Sequence, residues 1–263
     1  MKSIIVCMKQ VLDPEIPLSL FKIDTEAKQA AVPKATPPVL SPFDENALEA
    51  ALKIKDVQPA NVTVISLGRK LTRVVVKAPL AAGADQLLLL EDESFGDFDT
   101  FRTANALAAG IKMLGQYDLV LCGIQASDTN AGQVGIGIAS FLGIPCITFA
   151  RKVELNGDGV RVERASPDGS EVIEAPAPVV VTTSYEVGDL REPGVEAFVS
   201  AGKKPVTVRN ARELGLEPGS ASCTSFLKMQ QTAHDTRCEM MSGANAEEKA
   251  EELVTKLQEA KVI

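Results

Sequence analysis

Tryptophan is absent from these 263 residues, tyrosine occurs twice and histidine once. The lone His234 leaves almost no imidazole for catalysis or metal ligation, and in its polar C-terminal setting it is assigned no role. Cys7, Cys122, Cys146, Cys223 and Cys238 never form a Cys-x-x-Cys pair, so neither a zinc site nor an iron–sulfur site is signalled, and they read as reduced thiols. Few aromatics remove stacking platforms, and a net charge of −8 disfavours phosphate-backbone binding, which makes nucleic acid a poor partner. No apolar run approaches the roughly 20 residues that span a bilayer, so no membrane span is expected. Met1–Val6 enters an apolar strand at once, without the charged and apolar regions of a cleavable signal, which points to the cytoplasm.

Several enzyme signatures are missing as well. Strand one is followed by Lys9-Gln10-Val11-Leu12, not by Gly-x-Gly-x-x-Gly, and there is no Gly-x-x-x-x-Gly-Lys-Ser/Thr or Gly-x-Ser-x-Gly. Neither Tyr117 nor Tyr185 has a lysine four residues on. The acids Glu91, Asp92, Glu93, Asp97 and Asp99 read as a solvated loop with helix caps.

What is present is a repeating βαβ texture. Ser3–Met8 is a short apolar run without alternation, as suits a strand buried on both faces of a parallel sheet. Ser41-Pro42-Phe43-Asp44-Glu45 supplies an N-cap, a proline at the first helical position and acids in the first turn. Strands follow at Asn61–Leu67, Asp85–Leu90, Tyr117–Cys122 and Cys146–Phe149, with helices expected over about Leu71–Ala82, Thr100–Leu114 and Ala131–Leu142. Two alternating runs around Asn156-Gly157-Asp158-Gly159 read as a hairpin, and Pro178–Thr183 as a strand returning to the sheet. Gly188–Ser242 has little periodicity and reads as an arm, and Asn245–Lys261 as an amphipathic helix. The fold class expected is therefore α/β: a doubly wound, mostly parallel, Rossmann-like sheet with an added β-hairpin and an extended C-terminal arm. The division expected is 1–187, with the hairpin near 151–164, followed by 188–263.

In such a sheet, ligands bind beyond the carboxyl ends of the strands where the winding reverses. Strand order 3-2-1-4-5 puts that crevice between strands one and four, beside Cys7, Lys9 and the loop from Gly123 to Gly135. That loop is small and polar enough for peptide N–H groups to approach a phosphate at a helix N-terminus, with Lys9 as a point charge. Asp128 and Asn130 also read as N-caps of the following helix, and Gly132, Gly135 and Gly137 as packing glycines.

Several segments in order resemble the beta subunit of electron-transfer flavoproteins over nearly the first 215 residues: Val6–Asp13, Ser41–Ala51, Ala81–Asp85, Cys122–Asp128, Val162–Arg164, Pro178–Thr182 and Lys203–Val206. The resemblance implies a heterodimer in which an alpha subunit holds FAD and the beta subunit binds AMP or a second FAD. The subunit would be an electron carrier without substrate chemistry of its own, serving an acyl-CoA or similar dehydrogenase. It further implies that Cys7, Lys9, Ser41, Ser66, Leu67, Gly123, Asp128, Thr129, Asn130, Gly132, Gln133 and Val134 line the nucleotide pocket. Arg191, Val195 and Phe198 would belong to a loop that recognises the dehydrogenase.

The chain departs from the family at three places. Asp128–Gly135 ends like the electron-bifurcating members, yet Ile124 stands where those carry a basic residue, which leaves AMP and FAD both open. Gly188-Asp189-Leu190-Arg191 replaces Asn-Glu-Pro-Arg, and Val195-Glu196 replaces the recognition leucine and proline. Ala165 stands where an acid often follows Glu163-Arg164. The rival reading is a stand-alone adenine-nucleotide-binding regulator of stress-domain type, against which the extension from Arg151 to Ile263 counts.

Overall fold

A computed structural model describes residues 1–17, 19–31, 33, 36–216, 222–231 and 238–263, with only the backbone of residue 97; His234 lies outside the described residues. Two compact units are present: Met1–Lys22 with Ala30–Leu227, and Ile23–Gln29 with Lys228–Ile263. The second contains the helix expected near the C-terminus, Ala246–Glu259, whose Asn245 side chain caps it by accepting from the Glu248 N–H. Among the described residues no helix is long and apolar enough to cross a membrane.

The first unit is built on one nine-stranded sheet. Its strands are β1 (Lys2–Cys7), β2 (Ala60–Gly68), β3 (Gln86–Glu91), β4 (Leu119–Gly123), β5 (Cys146–Asn156), β6 (Gly159–Ser166), β7 (Gly169–Pro176), β8 (Val179–Thr183) and β9 (Val206–Arg209). They lie in the order β7-β6-β5-β8-β4-β1-β2-β3-β9. From β9 to β5 every neighbouring pair is parallel, and β5-β6-β7 continue as antiparallel strands.

Helices α1 (Pro42–Val57) and α2 (Arg73–Ala82) cover one face, α3 (Thr100–Met113) and α4 (Val134–Leu142) the other. The centre of the sheet is buried from both sides. Val6, Val62, Val64, Leu89, Leu119 and Leu121 point into the first core, and Ile5, Ile65, Leu88, Leu90 and Val120 into the second. Such strands need no polar alternation, which is why their apolar runs are continuous. The winding reverses between β1 and β4, where α1 and α3 have gone to opposite faces.

The doubly wound class and the hairpin are as expected, but four details differ. β4 and β5 are not neighbours: β8 lies between them, with Val180 opposite both Val120 and Cys146. An apolar run reports burial, not which strands flank it, so strand order is not written in the pattern. β7, Gly-Ser-Glu-Val-Ile-Glu-Ala-Pro, is an edge strand mostly open to solvent and carries almost no hydrophobic signal. β9 and a short helix α5 (Val195–Ala201) interrupt the stretch that reads as an arm. Finally, α4 starts at Val134 rather than Ala131, because Asn130 and Gly132 take left-handed backbone angles of φ 49° and 63° that end the preceding turn.

Candidate nucleotide crevice

The site forms where β1 and β4 end side by side, Cys7 opposite Cys122. Helix α1 supplies its floor. Ser41 sits at the N-cap position of α1 but makes no side-chain cap there; its Oγ accepts from the Ser127 N–H at 3.4 Å, and its own N–H donates to the Lys9 carbonyl at 2.9 Å. One residue into the first turn past Phe43, the Asp44 carboxylate turns inward. It accepts from the Lys9 N–H at 2.8 Å and the Gly123 N–H at 3.1 Å, binding the ends of both strands to one side chain.

Asp44 is 7% exposed. Burial pushes its pKa from 3.8 up to about 7, against the lowering effect of its two N–H donors and of the Lys9 ammonium, with the Asp128 carboxylate adding to the rise. Gly123 is required here. A Cβ at that position would lie 2.6 Å from Asp44 Oδ1 and 2.6 Å from the Phe43 carbonyl carbon, so any side chain would push the bracket apart. The sequence shows Asp44 only as an acid in a helix's first turn; its part in the crevice depends on α1 lying across the ends of β1 and β4.

Lys9 Nζ meets both carboxylate oxygens of Asp128, at 2.8 and 2.7 Å, across the mouth of the crevice. Asp128 and Asn130 are not caps of α4: the N-cap position belongs to Gln133, three to five residues on, and no side chain caps it. Gln133 instead accepts from the Thr100 hydroxyl at 2.6 Å, tying the loop's far end to α3. Thr129, Asn130 and Ala131 are exposed at the rim, while Gly132 is half-buried. Within α4, Gly135 packs so closely on β8 that a Cβ would meet the Thr182 methyl at 2.6 Å.

Further in, Cys7 and Cys122 are buried free thiols. Their mutual hydrogen bond, burial and the nearby Asp44 carboxylate hold the Cys122 thiol well above its usual range, so it is protonated and inert. Burial and the Cys122 neighbour push Cys146 up to about 11. At the end of β2, Ser66 is buried and Leu67 half-buried. The hydroxyls of Ser66 and Ser127 are enclosed and have no hydrogen-bond partner among the described residues, a state that buried polar atoms rarely keep. The Lys9 ammonium and the peptide groups of the 124–133 loop fit the polar parts of an adenine nucleotide, while the Lys9 and Gly123 N–H groups are taken by Asp44.

The 187–191 stretch lies against α1, and α5 beyond it packs on α2. Asn46 Nδ2 donates to the Gly188 carbonyl at 2.8 Å and Lys53 Nζ to the Val187 carbonyl at 2.5 Å. Arg191 grips Glu49 through its backbone N–H, Nε and a terminal guanidinium nitrogen at 2.9–3.1 Å, and Asp56 at 2.7–3.0 Å. Those two carboxylates raise the Arg191 pKa further, so the guanidinium is committed within the chain. Next to it a cleft of about 400 Å³ is lined by residues including Phe43, Glu45, Tyr185 and Asp189. Burial and the Asp189 carboxylate push Glu45 up. Val195 and Phe198, by contrast, are 83% and 58% exposed on α5, with Val199 beside them at 68%.

Known proteins match this chain in sequence. The family model described as "Electron transfer flavoprotein domain" matches residues 31–214. The chain is 40% identical over 215 residues to an electron transfer flavoprotein subunit beta of Clostridium acetobutylicum, covering 82% of this chain and 81% of that one. It is 37% identical over 265 residues to the caffeyl-CoA reductase-Etf complex subunit CarD of Acetobacterium woodii, covering 99% of each. Protein FixA of Azorhizobium caulinodans is 31% identical over 221 residues, 81% of this chain and 77% of that one.

Proposed function

This chain belongs to the electron-transfer flavoprotein family as a beta subunit, with the electron-transfer role of that family, and on that premise we propose that its β1–β4 crevice binds an adenine nucleotide: AMP, or the ADP part of a second FAD. The observation that carries this is the crevice itself, in which Asp44 fixes the ends of β1 and β4 while the Ser66 and Ser127 hydroxyls lie enclosed and unpaired. Lys9 Nζ, poised on Asp128 at 2.7 Å, would neutralise phosphate charge, and the Thr129–Val134 loop would wrap it with backbone N–H groups. Cys7, Ser41, Ser66, Leu67 and Gly123 would form the inner wall.

An alpha subunit carrying FAD is the proposed partner, and the chain is a carrier, not an enzyme acting on a substrate. A flavin, where bound, supplies the electron-accepting ring; this chain's residues hold, orient and shield it. The 188–201 segment is the proposed contact with a dehydrogenase of acyl-CoA or related type. Arg191 there fixes the loop on α1 through Glu49 and Asp56, and Val195 and Phe198 present the apolar anchor. The name of the CarD relative, a subunit of a reductase-Etf complex, supports a partner that acts on a CoA ester. The cytoplasm is the proposed location.

Co-expression with an alpha subunit, followed by a visible spectrum and release of nucleotides by denaturation, tests this. One FAD with one AMP per heterodimer identifies a simple carrier, and two FAD a two-flavin type. A heterodimer that forms with flavin but releases no further nucleotide would contradict the crevice reading.

A further inference from the structure

Asp44 raises a question of geometry. At the reversal point of a doubly wound sheet, the peptide N–H groups at and just past the strand ends are those a phosphate would use. In this chain the N–H groups of Lys9 and Gly123 are already taken, at 2.8 and 3.1 Å, by the two oxygens of one carboxylate. That carboxylate is delivered from a third element, α1, and is nearly sealed from solvent. Its own acceptors are thus satisfied by peptide donors alone, and Gly123 lacks the Cβ that would displace it.

We propose that Asp44 is a positioning residue: a built-in carboxylate that occupies the phosphate-like position at the reversal point, fixes Lys9 and Gly123, and so sets where the 124–133 loop and the Lys9 ammonium receive the nucleotide. This rests on the nucleotide reading of the crevice. Three links carry the effect outward. Lys9 is held at both backbone groups by the start of α1, through Asp44 and the Ser41 N–H. Its side chain then reaches Asp128 from a fixed origin. Gly123 is the last residue of β4, and Ile124 after it donates to the Thr183 carbonyl at 3.0 Å, so the loop leaves from a pinned start. Without Asp44, two buried N–H groups lose their acceptors, and the strand ends that carry the loop are free to separate.

Chemical rescue separates positioning from mere packing. The heterodimer carrying Asp44→Ala, purified at pH 8 where the native carboxylate is ionised, is compared with the unchanged heterodimer for binding of AMP and of FAD after removal of endogenous nucleotide. The expected result is a loss of affinity of about tenfold or more, the scale of one buried hydrogen bond left unmade, and its recovery on adding formate, whose carboxylate fits the vacated bracket. Native-like affinity in Asp44→Ala overturns the proposal. A loss that formate does not restore, in a variant with native circular dichroism, also overturns it, since the side chain would then serve only to fill space. Should Asp44→Ala not fold, Asp44→Asn serves instead: it keeps the volume but accepts only one N–H, so it is expected to weaken binding without response to formate, and native-like affinity again overturns the proposal. An unchanged heterodimer that binds neither AMP nor FAD would sink the nucleotide reading itself, a different failure from an Asp44 variant that binds as well as the original.

Discussion

Helix α1 carries two buried carboxylates that face different regions of the molecule, and they are satisfied in opposite ways. Asp44, facing the crevice, accepts from two neutral peptide N–H groups. Glu49, facing the 188–191 segment, meets the guanidinium of Arg191 from 2.9 Å. A peptide bracket leaves the carboxylate without a cation in contact among the described residues, while an ion pair closes on itself. The first region is the proposed nucleotide crevice, where the loop after Gly123 and the Lys9 ammonium, not the bracket itself, would meet the ligand. The second is fastened down at Arg191 and, just beyond it, leaves the apolar side chains of α5 exposed.

The sharpest way to break this comparison is through pH. The Asp44 pKa of about 7 in the fold exceeds the ordinary 3.8 of an unfolded chain. Between those values the native state holds a proton that the unfolded state has released, so the stability contributed by this group is complete below about pH 4 and lost as pH rises through 7. The full change is on the order of 4 kcal/mol. Urea unfolding of the unchanged chain and of Asp44→Asn at pH 5 and pH 8 reads it directly: the unchanged chain should lose ground to the variant at pH 8. Parallel behaviour at both pH values would mean that Asp44 is not charge-labile.

Next in size is Arg191→Ala, which strips the nearly buried Glu49 of its cation and should cost about 3 kcal/mol by denaturant midpoint. A loss below about 1 kcal/mol would mean that solvent reaches Glu49 and that the segment is not anchored as described. Smallest in stability is Phe198→Ser, expected to stay within about 0.5 kcal/mol because the ring is exposed. Its effect should fall on electron transfer from the dehydrogenase, weakened about tenfold if Phe198 is an interface anchor. Unchanged transfer would move the docking surface away from α5.

Much of the core was legible in the sequence because its chemistry is local. Continuous apolar runs marked β1 to β4 and the parallel start of β5, and Pro42 with the acids after it marked α1. The reversal rule places Lys9 and the loop after Gly123 at the ends of β1 and β4, and Lys9 meets Asp128 of that loop at 2.7 Å. What was not legible depends on pairing between distant segments. β8 takes the place between β4 and β5, and β9 joins the far edge as four residues, Val-Thr-Val-Arg, too short to stand out. Asp44 and Arg191 show the same limit at the level of single residues. One reads as a helix acid and the other as part of a partner-recognition loop, and neither pattern reveals bonding partners 35 and 142 positions away.

The central claim, that the crevice takes the nucleotide while the 188–201 segment takes a protein, is tested most directly by amide hydrogen exchange of the heterodimer with and without AMP. Slower exchange at Lys9 and across residues 124–133, with residues 195–201 unchanged, is the predicted result. Protection confined to 195–201, or no protection in the 124–133 loop at saturating AMP, would contradict it.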